Sequence, residues 1–495
     1  MIFLGIDSGT QSTKTIALDE ETGAILAQAQ QAYDLIDGLP PGHLEQEPSD
    51  WIAAVEATIG SCLKQLGPRK SEVAGIGVSG QQHGLVVLDA EDRPVRPAKL
   101  WCDTSTTAQC DEFSAAFGGA SGLLELAGNA ILPGYTVPKL LWLKQNEAEN
   151  FARTASVLLP HDYINFWLTG IKRMEYGDAS GTGLLDVRKR EWCGPLVDFT
   201  DERVAAMLPE LGSSTVWHGP LKKELTDRWG LGEVHVSAGG GDNMMGAIGT
   251  GNVKPGVITA SLGTSGTLYG AAEKPVIDPH GEVAAFCDSA DHWMPLVCTM
   301  NVTVLTESVR DLFSWELSEL ENAVGQTEPG AGGLAFLPYL NGERTPNLPD
   351  GKAVLHGLTS ENFTSGNMAR AAMEGVTLGL GYGLQRFKEQ GMKPTEIRLT
   401  GGGSNSPTWR QILADIFDAE TVCLQTAEGA ALGSAIQAAA CHAGGGQFDD
   451  AGLESLTGRL IAVDEDSRCR QVSENVSKYG EMQERFNRLS ADLHA

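Results

Sequence analysis

The sequence predicts an α/β protein built from two related halves. Three observations carry this. A strand, a Gly/Thr-bearing turn and a returning strand stand at residues 2–19, and the same pattern recurs at residues 257–269. In each half another strand runs into a glycine cluster that opens a helical stretch, at 234–248 and at 396–417. The chain has 495 residues, 42% hydrophobic and 20% charged, with 60 glycines. At roughly 150 residues per domain that is about three domains or two large ones.

The elements follow in order. Residues 2–6 are a short apolar run ending in Asp7-Ser8-Gly9-Thr10. Residues 15–19 read as the returning strand, and a third strand starts at Ala24 after a polar turn. Ser49 is the expected N-cap of a helix over residues 50–66, where Trp51, Ile52, Val55, Ile59, Cys62 and Leu63 recur at helical spacing. Residues 73–79 and 85–88 read as strands, and 100–231 as mostly helical with loops. Residues 234–238 form a strand running into Gly239-Gly240-Gly241-Asp242-Asn243, with a helix over 244–248. The second meander has strands at 257–262 and 267–269. Later come a strand at 396–399, helices over 407–417 and 428–440, and a terminal helix after Ser473. The spacing of the two meanders, about 250 residues, indicates duplication of a whole domain. The expected boundaries are 1–246, 247–445 and a terminal extension 446–495.

Charge and cysteine usage exclude several classes. The net charge of −28 argues against nucleic acid as a partner, because phosphate binding needs a basic footprint, and against an anionic membrane surface. No apolar run approaches the roughly 18 residues of a membrane span, and residues 1–7 lack the flank of a signal peptide. The nine cysteines are scattered with no CxxC pair, which points to reduced thiols and a cytoplasmic location.

The glycine turns have the chemistry of phosphate clamps. A turn that wraps a phosphate needs converging backbone N–H groups, no Cβ where the anion approaches, and hydroxyl donors. Asp7-Ser8-Gly9-Thr10-Gln11-Ser12-Thr13-Lys14 supplies these together with a cation, and Gly263-Thr264-Ser265-Gly266-Thr267 repeats them without one. Asp7 is then a carboxylate suited to hold Mg²⁺ through water beside the phosphates. No P-loop is present. Gly75-Ile76-Gly77-Val78-Ser79-Gly80 matches G-x-G-x-x-G but is followed by a strand, against a dinucleotide site. Asp242 ends a strand at the rim of a sheet, where it can take a proton from a substrate hydroxyl or cap the helix that follows. Gln82-His83 and Trp101-Cys102-Asp103 offer directional donors and acceptors and an aromatic face, as a polyol demands, although a structural histidine is the alternative at His83.

Two longer patterns add to this: Gly134-Tyr135-Thr136-Val137-Pro138-Lys139-Leu140-Leu141-Trp142-Leu143-Lys144-Gln145-Asn146, and Ala353-Val354-Leu355-His356-Gly357-Leu358 with Asn367-Met368-Ala369-Arg370-Ala371-Ala372-Met373-Glu374. With the duplicated turns, they make the chain resemble the FGGY carbohydrate kinases, of the actin/Hsp70/sugar-kinase fold, from Phe3 to about Ala440. The resemblance implies two actin-like ATPase (ribonuclease H-like) domains around an interdomain cleft, with ATP and Mg²⁺ as cofactors. It implies Asp242 as catalytic base and Gln82, His83, Asp103 and Asn243 as sugar ligands. It implies Thr10, Ser12, Lys14 and Thr264 on the ATP phosphates, and Gly402, Gly403 and Asn405 in the adenosine pocket, with Trp315 a candidate wall. The metal would lie between Asp7 and Asp242. Within the family, Gln82-His83, Trp101-x-Asp103, Gly239 to Asn243 and Leu340-Asn341-Gly342-Glu343-Arg344-Thr345-Pro346 are most similar to members acting on D-xylulose. Gln82 and Cys102-Asp103-Thr104-Ser105 resemble the eukaryotic form of those segments. Members acting on ribulose, ribitol, gluconate or glycerol are the alternatives. An actin- or Hsp70-like ATPase indifferent to sugar is the alternative from another class. The sequence leaves open whether one chain or a homodimer acts.

Overall fold

The computed structural model describes residues 1–426 and 428–494. Its centre is two seven-stranded sheets. The first half contributes β1 (Ile2–Ser8), β2 (Ser12–Asp19), β3 (Ile25–Ala32), helix α1 (Pro48–Leu66), β4 (Val73–Gly80), α2 (Pro160–Thr169), β5 (His235–Ser237) and α3 (Asp242–Gly249). The second half contributes β6 (Val257–Leu262), β7 (Gly266–Gly270), β8 (Trp293–Thr299), α4 (Ser365–Glu389), β9 (Glu396–Thr400), α5 (Pro407–Phe417), β10 (Glu420–Leu424) and α6 (Gly429–Ala443). The two sets correspond one to one. In each, three antiparallel strands form a meander, and the first of them pairs in parallel with the fourth, which pairs in parallel with the fifth. The duplication expected from the two turns is therefore present strand for strand.

The central strands read as apolar runs because both faces are covered. Ile2, Leu4 and Ile6 face a core with Val55, Ile59, Cys62 and Leu63 of α1. Phe3 on the other face packs into a cluster with Ala431, Ala435 and Ile436 of α6. So α6, which belongs by sequence to the second half, covers the first sheet. Two strand glycines permit this: a Cβ on Gly5 would overlap Ala431 O, and one on Gly77 would overlap Ser434 O. α6 also crosses α3 in backbone contact, since a Cβ on Gly433 would overlap Met245 O and one on Gly249 would overlap Gly429 O.

Several local readings are corrected. α1 begins at Pro48, not after Ser49, with Glu47 at the N-cap making no side-chain cap bond. Proline at the first turn is pre-set for the helix and gives up no bonded N–H. Residues 100–231 hold short strands among the helices, and one of them, Trp217–Pro220, forms the edge of the first sheet. The glycines at 375, 379, 381 and 383 lie inside α4, a 25-residue helix absent from the sequence reading. The terminal stretch is woven into both halves. Leu453, Leu456 and Leu460 pack with Phe3, Ile16 and Leu18 of the first sheet, strand Val463–Cys469 completes the second sheet beside β10, and helix Ser473–His494 buries Tyr479 and Phe486 against α4 and its surroundings.

Candidate active site

The carboxyl edge of the first sheet brings two acids together. Asp7 at the end of β1 stands opposite Ser79 of β4, and Gly240 stands opposite the same Ser79 on the other side. The next pairing, Gly241 with Gly80, delivers Asp242 at the same edge as the first residue of α3. Asp242 is therefore inside the helix, and Gly241 holds the N-cap position. Ser79 Oγ donates to Asp7 Oδ1 at 3.4 Å, and Asn243 N and Nδ2 donate to Asp242 Oδ1 at 2.8 and 3.0 Å. Both carboxylates keep part of their surface open. Desolvation pushes the Asp242 carboxyl up to about 7, and the negative charge of Asp7 adds to the shift. Desolvation likewise raises Asp7 to about 6, opposed by Ser79 and Lys14. Two acids that each resist ionisation at one edge form a donor set suited to a divalent cation, which would favour both charged forms.

Lys14 lies opposite Asp7 on β2 and forms an ion pair with Glu428, the residue before α6. The contact spans the two halves, joining the residue before α6 to β2 beside the first glycine turn. Sequence reading missed Glu428, because a partner 414 positions from Lys14 leaves no periodic or motif signal. The Thr10 hydroxyl accepts from Trp101 Nε1 at 2.9 Å and donates to Gln81 Oε1 at 3.2 Å. The Ser12 hydroxyl accepts from Gln30 Nε2 at 2.8 Å. These bonds fix the shape of the turn.

Next to the acids, Asn243 Nδ2 donates to Gln82 Oε1 at 2.8 Å, and Gln82 Nε2 lies 3.1 Å from Met244 Sδ. His83 follows with φ of +62°, which turns its ring between Tyr135 and Phe286 at centroid distances of 5.0 and 5.5 Å. Burial, then the charges of Lys139 and Arg344, push the imidazole down to about 3, so it is neutral and can both donate and accept. The buried Lys139 amine donates to His83 O at 2.8 Å and also bonds Gly134 O. Arg344, on a loop of the second half, reaches over the cleft with its Cζ 6.0 Å from the Trp101 ring centroid. The Leu340–Pro346 segment signalled this loop, but nothing in its spacing singled out Arg344.

Asp103 is not placed to meet a ligand. It is fully buried, with Oδ1 accepting from Ser105 N and Oγ at 3.0 and 2.5 Å and Oδ2 from Leu44 N and Lys99 Nζ at 3.0 Å each. His43, Glu45 and Asp103 converge as metal ligands would, and the Lys99 ammonium sits among them, 3.1 Å from His43 Nδ1 and 3.2 Å from Glu45 Oε1. This knot braces the Trp101 segment.

On the second sheet, Thr264 is exposed at the tip of the β6–β7 turn, where Val302 N donates to its carbonyl at 2.9 Å. Gly401 and Gly403 lie directly on Leu262 at the root of that turn, so the Gly402–Asn405 turn flanks it, with Gly402 and Asn405 exposed. Trp315 stacks on Phe313 at 4.7 Å. The helix that follows it is tied through Glu321 to Thr408 N at 2.8 Å, just beyond Asn405.

Two related α/β halves, each with a glycine turn in its first hairpin, and with paired acids at the edge of the first sheet, have the build of the actin-like ATPase superfamily. Residues 2–249 match the FGGY family of carbohydrate kinases, N-terminal domain, and residues 258–441 match its C-terminal domain. The chain belongs to the FGGY family of carbohydrate kinases. It is 44% identical to the xylulose kinase of Haemophilus influenzae over 98% of each chain. It superposes on the structure of a xyloylose kinase from Brucella ovis with a TM-score of 0.92, 32% identity and coverage of 100% and 99%. It superposes on a gluconate kinase from Lactobacillus acidophilus with a TM-score of 0.91, 25% identity and coverage of 100% and 98%. The chain is thus a carbohydrate kinase, with ATP as its phosphoryl donor and a sugar as its acceptor. None of the described helices is long and apolar enough to cross a membrane.

Proposed function

We propose that this chain transfers the γ-phosphoryl group of ATP to the terminal hydroxyl of D-xylulose, giving D-xylulose 5-phosphate and ADP. The observation that supports it most is the placement of Asp242 beside Asp7 at one sheet edge, linked through Asn243 to Gln82, with His83 next in the chain. The xylulose kinase relatives support the choice of sugar. The sugar lies along Asn243, Gln82 and His83, with Trp101 and Arg344 closing its far side. Asp242 accepts the hydroxyl proton as the new O–P bond forms and the bond from the γ-phosphorus to the β-phosphate oxygen breaks. Lys14, Thr10, Ser12 and Thr264 hold the phosphates, while Gly402, Gly403 and Asn405 leave room for adenosine. Asp7 and Asp242 would hold Mg²⁺, which supplies charge neutralisation at the transferring phosphates. A general base gives about 10²–10⁴-fold, whereas positioning the reactants is worth roughly 7–11 kcal/mol. Alignment by the two halves therefore contributes more than proton removal. The nine free cysteines and the use of ATP support a cytoplasmic location.

The test is a substrate panel with coupled ADP detection. D-Xylulose is expected to give the highest kcat/KM, above D-ribulose, ribitol, D-gluconate and glycerol. Gluconate in first place would replace the sugar, and turnover indifferent to every sugar would replace the whole reading.

Two further outcomes follow from the electrostatics. The base must be ionised; its carboxyl sits at about 7 without metal, and Mg²⁺ favours the charged form, so kcat/KM should fall on the acid side and rising Mg²⁺ should move that fall to lower pH. An acid limb indifferent to Mg²⁺ would argue against Asp242 as the base beside the metal. With a net charge of −28, nucleotide binding must rely on local contacts, because salt screens the long-range field over about 8 Å. ADP should bind weakly at low salt with chelator present and tighten on adding Mg²⁺. Calorimetry showing equal affinity in both conditions would argue against the metal's role.

A further inference from the structure

A side chain from the other half of the molecule holds the bend that leads to Asp242. Gln437 lies on α6, fully buried, two helical turns beyond Gly429. Its Oε1 accepts from Ser237 Oγ and from Gly239 N, both at 2.8 Å. Its Nε2 donates to Ser214 O at 3.1 Å, Gly239 O at 3.2 Å and Ser289 O at 3.3 Å. One amide thus grips both polar main-chain atoms of Gly239, the residue three before Asp242. Gly239 has φ of +74°, and a Cβ there would press on Val78 O and the His161 ring. It is the bend from which the chain runs through Gly240 and Gly241 to Asp242. On its other side the bend is backed by His161, whose Nδ1 lies 2.7 Å from Asp178 Oδ2. Glu428, immediately before the same helix, pairs with Lys14 of the first phosphate turn. One rigid element therefore touches the first phosphate turn at its start and the bend before the base two turns further on.

We infer that Gln437 is a positioning residue that couples the seating of α6, and with it the approach of the second half, to the aim of Asp242. This rests on the reading of Asp242 as the base. As α6 shifts against the first sheet, Gln437 carries the Gly239 bend with it, and the carboxylate reaches its working orientation only when α6 is fully seated.

The test compares Gln437→Met, of similar size but unable to make the five bonds, with Gln437→Glu, which keeps the acceptor oxygen. Turnover is expressed per ADP-binding site counted by calorimetry, using whichever sugar of the panel the wild type phosphorylates best. Gln437→Met is expected to lose about ten- to a hundredfold in kcat, as a displacement near 1 Å would cause. Gln437→Glu should lose at least as much, because its second oxygen would face the carbonyls of Ser214, Gly239 and Ser289 that Nε2 now serves. KM for sugar and for ATP should stay within about twofold in both, because binding contacts are untouched. A purely structural role would instead lower the number of competent sites and leave kcat per site unchanged, and that result overturns the inference. Should Gln437→Met fail to fold, Ser237→Ala removes one of the five bonds and is read in the same way: a smaller fall in kcat with unchanged KM supports the coupling, and unchanged kcat overturns it. If Asp242→Asn keeps normal turnover, the base assignment and this inference fail together. If Asp242→Asn is inactive while both Gln437 variants turn over normally, only the coupling fails. A panel in which another sugar outranks D-xylulose leaves the comparison intact.

Discussion

Asp242→Asn should lower kcat by at least about 10²-fold, the usual size of a general-base contribution, while the sugar still binds. The amide preserves the size of the side chain and can still accept from Asn243 N, so the local structure is kept; what it loses is the capacity to take a proton. The same substitution should make the metal-free protein more stable at alkaline pH. The Asp242 carboxyl ionises at 3.8 in an unfolded chain and at about 7 in the folded one. The folded state thus holds this proton more tightly, and the stability it gives is complete below about pH 4 and lost as pH rises through about 7. With chelator present, Asn at this position should raise Tm at pH 8 and make little difference at pH 4. Wild-type turnover in the variant would end the assignment. An unchanged Tm at pH 8 would show that Asp242 is not held against its charge.

Gly433→Ala is expected to damage stability and turnover together. α3 and α6 cross with their backbones touching, and the added methyl would overlap Met245 O and crowd Gly249 N. Neither neighbour is a flexible side-chain end, so the helices must separate. Overpacking of this kind costs about 1–3 kcal/mol and sometimes more, which in a protein of this size lowers Tm by about 1–3 °C. Separation of the helices also carries Gln437 and Glu428 away from the first half. The drop in kcat should therefore exceed what the loss of folded protein explains. Differential scanning calorimetry alongside turnover per ADP-binding site separates the two effects. A variant with wild-type Tm would mean that the crossing is looser than described.

The parts of this architecture legible in the sequence were those encoded locally. The two hairpins with Gly/Thr turns announced themselves by composition, and α1 by the spacing of Trp51, Val55, Ile59 and Cys62, all of which are buried. Asp242 was legible because a carboxylate after a strand and a glycine run has few places to go. What escaped was set by contacts distant in sequence. α4 was obscured by its glycines, which weaken a helix locally. Here Gly375 approaches Phe336 O and Gly381 approaches Gln483, so close packing outweighs propensity. Asp103 read as a ligand because its neighbours are a tryptophan and hydroxyl residues; only the fold reveals that Lys99 and Leu44 N already occupy it. His83 followed a strand without any hint of the positive φ that turns its ring between Tyr135 and Phe286. Glu428 and Gln437 were silent, since each acts on a residue roughly 200 or more positions away, beyond any periodicity argument.

The seating of α6 on Gly5 and Gly77 also bears on how such a protein can be divided. A fragment ending near residue 250 would leave the strip of first-sheet backbone that α6 covers bare to solvent, and the remaining fragment would carry an alanine-rich helix with nothing to cover it. Neither piece is a finished globule. Expressed apart they would be prone to aggregate; co-expressed, they would re-associate along that strip, making the exposed Lys254–Pro255 a natural place to split the gene for complementation.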